Sequence, residues 1–201
     1  MIIINKSFCN KNDIKTPSCY AEVFAALVIN DYLFSNEIKL KLGDGEKLPD
    51  IYTEDKDIGF EVTIEESNGN WNKIDELKLN VMCSMPCFHK SNWLAKSVVE
   101  LIKKKQNKYN KGNYSRVQHC CLVLCSFFSC SGIEIIKNSV CQAYKEIKED
   151  VKFYKIYLLT MNGLYEIHSH IPAIVYEFNS NEFESLIQRQ RDIIAKYNNI
   201  R

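Results

Sequence analysis

Between Leu48 and Glu66 the chain reads LPDIYTEDKDIGFEVTIEE, and its carboxylates fall where a cation site would need them. Asp50, after Pro49, is followed eleven residues later by Glu61, at the head of Glu61-Val62-Thr63. From Phe60 onward the residues alternate. Phe60, Val62 and Ile64 share one face of a strand, while Glu61, Thr63 and Glu65 share the other. An acidic strand face beside an aspartate from the preceding strand presents oxygen donors, the ligands that a hard divalent cation prefers. Two further groups belong with them. Glu22 is the only charged residue between Cys19 and Asn30, and a lone carboxylate in so apolar a stretch is costly unless a partner or a metal offsets its charge. Downstream, Leu94, Val98, Leu101, Lys105 and Lys108 fall at alternating spacings of four and three. The inward stripe of that helix therefore ends in two lysines, which point unlike Lys103 and Lys104.

These residues need elements to hold them. Thr16-Pro17 starts a helix that runs to about Phe34 and is covered over most of its circumference. Glu37 to Leu42 alternates as a strand and stops at Gly43-Asp44-Gly45; Pro49 to Thr53 and Ile58 to Glu65 complete a meander. Lys73 to Met82 reads as a helix, Cys83 to Asn92 as irregular chain, and Trp93 to Tyr109 as the long lysine-bearing helix. Gln118 to Phe128 is a nearly continuous apolar run, as in a strand buried on both faces. A helix over Gly132 to Asp150 and a strand over Phe153 to Thr160 follow. Asn162-Gly163 turns the chain into Leu164 to His168, Ala173 to Phe178 adds an edge strand, and Asn181 to Asn198 closes as an amphipathic helix. The first fifteen residues, polar after Ile4, frame the fold. This order predicts an α/β fold: a single domain over residues 1–201 with a mixed central β-sheet flanked by helices.

Composition bounds the function. Lys+Arg number 26 against 25 Asp+Glu, so net charge does not announce a nucleic-acid binder. The hydrophobic and charged fractions, 46% and 25%, are those of an ordinary soluble domain. Nine cysteines are an odd count; Cys120 and Cys121 sit side by side in an apolar strand pattern, and Met1-Ile2-Ile3-Ile4 is too short for a secretory leader. Reduced thiols in a cytoplasmic protein are expected rather than a disulfide framework. No run approaches the ~18–20 apolar residues that span a bilayer, so a membrane is not expected as a partner.

A helix with Glu22, a meander with Pro49-Asp50, then Glu61-Val62-Thr63 on the next strand, then helix and strand, resembles the PD-(D/E)xK nuclease superfamily over about residues 17 to 128. The resemblance implies a restriction-endonuclease-like fold and Mg²⁺-dependent hydrolysis of phosphodiester bonds in DNA or RNA, with Mn²⁺ as a substitute ion. It implies that Asp50, Glu61 and the carbonyl of Val62 hold the metal, with Glu22 contributing from the first helix. The departure is Thr63, where the family places a lysine; a neutral hydroxyl cannot supply that charge. The helical stripe nominates Lys105, then Lys108, to reach back in its place. Lys104, Lys108 and Lys111, among lysines interleaved with Tyr109 and Tyr114, are the expected nucleic-acid surface. A homodimer is one open assembly. The alternative is a catalytically inactive pseudo-nuclease that serves as a nucleic-acid or protein-binding module, an immunity or defence component.

Other motifs are weaker. Cys83, Cys87 and His89 lack a fourth zinc ligand at motif spacing. His168-Ser169-His170 reads as a solvated loop pair, and Gly43-Asp44-Gly45 lacks the spacing of a phosphate-cradling loop.

Overall fold

One continuous series of strand pairings organises the chain, so that neighbours in sequence are neighbours in the sheet. The computed structural model describes residues 2–4, 17–43, 47–64, 91–126, 138, 141–143, 145–147, 151–167 and 173–198. Strand β1 (Ile2–Ile4) lies parallel to β2 (Leu40–Leu42). Helix α1 (Pro17–Val28) connects them and continues into a wider π turn over Ile29–Leu33. Strands β3 (Ile51–Thr53) and β4 (Ile58–Ile64) complete an antiparallel meander with β2. Helix α2 (Ser91–Asn110) leads to β5 (His119–Ser126), parallel to β4, and β6 (Ile156–Thr160) is parallel to β5. Strands β7 (Gly163–Glu166) and β8 (Ala173–Glu177) turn back antiparallel, and α3 (Ser180–Asn198) ends the described chain. Among the described residues, eight strands stand in the order β1 to β8.

The period of two along β5 sends its side chains into two separate cores. Cys121, Val123 and Cys125 join Phe24, Leu27, Phe60, Val62, Phe183 and Leu186, beneath α1 and α3. Cys120, Leu122 and Leu124 join Ala95, Val98, Val99, Ile102, Tyr114 and Phe153, beneath α2. Helices therefore cover both faces of one mixed sheet, as the alternation of elements predicts. Each large apolar side chain so buried contributes about 1.5–3 kcal/mol before chain entropy is counted. Among the described residues, no helix is long and apolar enough to cross a membrane.

The structure departs from the sequence reading in places. The three-residue β1 was not expected as a strand, because three apolar residues carry no period to read. Strand β2 begins at Leu40 rather than Glu37; Ser35 and Asn36 take positive φ, and residues 35 to 39 form an exposed turn. The expected helix over Lys73–Met82 lies outside the described residues, as do the Cys83, Cys87, His89 and His168, His170 groups. Of the expected Gly132–Asp150 helix, residues 141–143 and 145–147 are described and helical.

Two glycines let the chain place Asp50. The Gly43 N–H donates to the Asp50 carbonyl at 2.5 Å, and a Cβ at Gly43 would lie 2.2 Å from the Pro49 carbonyl oxygen. The Pro49 ring rests against Gly59 of β4, where a Cβ would lie 2.3 Å from Pro49 Cγ and 3.0 Å from Val117. Gly59→Ala is expected to push Pro49 off the strand and to lower stability by about 1–3 kcal/mol in urea unfolding. A loss below about 0.5 kcal/mol would show that the Pro49 contact yields freely.

Candidate functional site

Strand register brings the two central carboxylates together. Ile51 pairs with Phe60 and Tyr52 with Gly59, so one further step sets Asp50 opposite Glu61. Strand β3 begins at Ile51 and leaves the Val62 N–H without a strand partner on that side. The Asp50 side chain takes its place, accepting from Val62 N at Oδ2 over 2.8 Å. The N–H and C=O of one strand residue leave the same edge, so the Val62 carbonyl also faces the Asp50 side. Glu61 and Thr63 lie opposite Leu122 and Leu124 of β5, on the face that α2 covers. Glu61 is buried, and Thr63 is half-buried beside it.

Helix α2 supplies the cation. Ala95, Val98, Val99, Ile102 and Lys105 form its buried stripe, and the Lys105 Nζ donates to Glu61 Oε1 at 2.5 Å. The side chains of this pair are only 11% and 8% exposed, so water offers the two charges little competition. Lys105 thus stands at the acidic strand, on the face where Thr63 leaves no positive charge.

Lys108 does not share that stripe. It is exposed, and it is absent from the charges that bear on Glu22 and Asp50. The helix is rotated so that Ile102, not Leu101, sits deepest, and four residues beyond Lys105 the inner position falls to Tyr109. Lys104 and Lys111 are exposed, whereas Tyr109 is half-buried and Tyr114 buried, so the two tyrosines are not part of a surface stacking platform. They pack with Phe153, ring centroids 5.2 Å from Tyr109 and 6.2 Å from Tyr114.

Glu22 approaches from α1 and is buried at 9% exposure. Burial raises its carboxyl to about 9, with Asp50 and then Glu61 adding to the rise and Lys105 opposing it. Burial likewise raises Asp50 to about 8, and the facing Glu61 adds to this; Lys105 and the Val62 N–H pull the other way. Three carboxylates therefore share one ammonium, and the excess negative charge is held off by protons.

The donor set fits a hard cation. Asp50, Glu61 and the Val62 carbonyl offer oxygen alone. Among the described residues, no three His, Cys, Asp or Glu side chains gather closely enough to enclose a metal. One or two carboxylates completed by water and substrate is the coordination Mg²⁺ accepts, whereas zinc favours nitrogen and sulfur. The nearby thiols are not competitors. Burial pushes the Cys120 and Cys125 thiols well up and that of Cys121 up to about 12, so they stay protonated. Among the described residues, Cys120, Cys121 and Cys125 are free and buried.

Tyr114 is the residue near the site whose position the sequence did not signal. Gly112, at φ +82°, turns the chain after α2, and the Gly112 N–H donates to the Tyr109 carbonyl at 3.0 Å. Tyr114 then takes φ +69°, a left-handed conformation that costs a bulky residue roughly 1–3 kcal/mol. Its hydroxyl is buried and has no partner at good hydrogen-bonding geometry. Burial, then Glu61, holds that hydroxyl well above the usual tyrosine range. No spacing in Asn110-Lys111-Gly112-Asn113-Tyr114 announces this placement.

Two measurements follow from this electrostatic arrangement. Glu22 and Asp50 carry folded-state values above those of the unfolded chain, so between about pH 4.5 and 8–9 the folded state binds more protons. The metal-free protein should therefore be most stable near the lower end of this window and lose stability as pH rises through it. Asp50→Asn should flatten that slope and raise the urea midpoint at pH 8; an unchanged slope contradicts the raised carboxyls. Lys105→Met should cost about 3–5 kcal/mol by leaving Glu61 buried without its partner, and adding Glu61→Gln should recover much of the loss. Strict additivity of the two substitutions would show that the pair is not coupled.

No protein-family model, curated protein or solved structure matches this chain, so its function is to be read from these residues.

Proposed function

We propose that this protein is a Mg²⁺-dependent nuclease of restriction-endonuclease-like architecture, hydrolysing phosphodiester bonds of DNA or RNA. The observation that carries the reading is the burial of Lys105 against Glu61, on the strand face where Thr63 stands. A lysine from the neighbouring helix meets the need that the strand leaves open. The Asp50 and Glu61 carboxylates and the Val62 carbonyl would hold the cation, with Glu22 in support. When bound, Mg²⁺ or Mn²⁺ would lower the pKa of a coordinated water and neutralise charge on the phosphate. The Lys105 ammonium would orient the attacking water and offset charge that develops in the transition state. Lys104, Lys108 and Lys111, exposed on or just after α2, would hold the polynucleotide backbone. A nearly neutral chain can still present such a strip, because recognition depends on local field rather than net charge.

A binding module without catalysis is favoured by one observation: Lys105 is fully engaged by Glu61 in the metal-free protein, and Thr63 offers no second ammonium. Supercoiled plasmid and structured RNA incubated with Mg²⁺ or Mn²⁺ separate the two. The nuclease reading expects nicking or cleavage that Asp50→Ala abolishes and Lys105→Gln slows by about 10²–10³-fold. Metal binding by the wild type with no cleavage of any nucleic acid would overturn it in favour of the binding module.

A further inference from the structure

Tyr154, at 58%, is the only exposed large aromatic among the described residues. It stands just before β6, at the end of the sheet where the parallel strands β4, β5 and β6 begin. Its N–H donates to the Cys120 carbonyl at 2.8 Å. Its ring lies against the half-buried His119 imidazole, with centroids 4.7 Å and planes 35° apart. A scattered exposed tyrosine is ordinary, but this one is backed by a second ring while more than half its surface stays open.

Backbone contacts bring cations to the same end. The Gln118 N–H donates to the Lys56 carbonyl at 3.1 Å, and the Arg116 N–H to the Lys47 carbonyl at 3.2 Å. Lys47, Lys56 and Arg116 are exposed, and among the described residues they have no ion-pair partner. Most nearby carboxylates are engaged. Glu54 pairs with Lys41 at 3.0 Å and Lys39 at 3.7 Å, Asp55 accepts from the Asp57 N–H at 3.0 Å, and Glu166 pairs with Lys155 at 3.1 Å. Asp57 is left beside the cations, so the local balance is positive although the chain as a whole is nearly neutral. The segment is also tied to α2: the Lys152 N–H donates to Gln106 Oε1 at 2.9 Å. Rings flanked by cations suit a polynucleotide, whose bases stack and whose phosphates attract positive charge. In a duplex the base faces are already covered, so an open ring selects an unpaired base.

We propose that Tyr154, braced by His119, is a stacking platform for an unpaired base of a single-stranded polynucleotide whose phosphates are held by Lys47, Lys56 and Arg116. It rests on the nuclease reading for its use, since it names a single strand as the substrate, but the binding itself needs no metal.

The full chain is titrated in EDTA against labelled oligodeoxythymidine and oligouridine of about 12 nucleotides, and against a duplex of equal length, by fluorescence anisotropy. Single strands should bind more tightly than the duplex; either sugar upholds the platform, and the tighter strand names it. Tyr154→Ala should weaken single-strand binding about ten-fold, whereas Tyr154→Phe should keep it. Arg116→Gln should lower the slope of log affinity against log salt by about 0.7. Unchanged affinity in Tyr154→Ala, or an equal loss on the duplex, overturns the platform. So does a dimer in sedimentation that Tyr154→Ala dissociates, which would give this face to a second copy. Tyr154-dependent binding with no cleavage in Mg²⁺ refutes the nuclease reading alone. Cleavage of single strands that Tyr154→Ala leaves unchanged, KM included, refutes the platform alone.

Discussion

The ion pair between Lys105 and Glu61 is the constraint from which the rest of the site follows. It joins a helix to the middle of a central strand, at a depth where both side chains are nearly free of water. Moving two charges there is costly, and attraction between them offsets that only when the geometry is good and both stay. A pair of apolar residues of similar volume would serve packing as well or better. The sheet nonetheless keeps Glu61 opposite Asp50, and α2 is rotated so that its buried stripe ends in an ammonium.

Around this pair the local chemistry runs against stability. Asp50 and Glu61 face one another across two antiparallel strands, an arrangement that repels unless a proton or a cation intervenes. Glu22 adds a third carboxylate from the opposite side of the sheet, within the field of the other two. Tyr114 adds an unsatisfied hydroxyl and a left-handed backbone. Such features gather at functional sites because the surrounding structure can hold them and the function needs them. Here the support is plain: two apolar cores clamp the sheet from both sides.

Charge elsewhere follows a different rule. The exposed lysines of α2 lie on the helix that carries the buried one, so a single element serves both the interior and the surface. A helix can do this because its faces are set by residue number: Lys103, Lys104 and Lys105 point in three directions about 100° apart. On the sheet face opposite α2, Arg189 of α3 pairs with Asp31 in the π turn after α1, and Gln190 donates to the Tyr20 carbonyl, which ties the last helix to the first. These contacts brace α1, the helix that holds Glu22.

Much of this was legible in the sequence, and the reasons are physical. Alternation of β-type and helical periods sufficed for a mixed sheet with helices on both faces, because each element shows which side it must bury. The period of two from Phe60 placed Glu61 and Thr63 on one face, and the stripe on α2 put Lys105 inward. Tertiary structure decided what periods cannot carry. Register across β3 and β4 set Asp50 opposite Glu61, and two glycines let Pro49 lie close enough for that. The rotation of α2 separated Lys105 from Lys108, a difference of 60° about the helix axis that two spacings in a sequence leave open. Tyr114 came to the site through a turn with no period at all, so only the folded chain could place it.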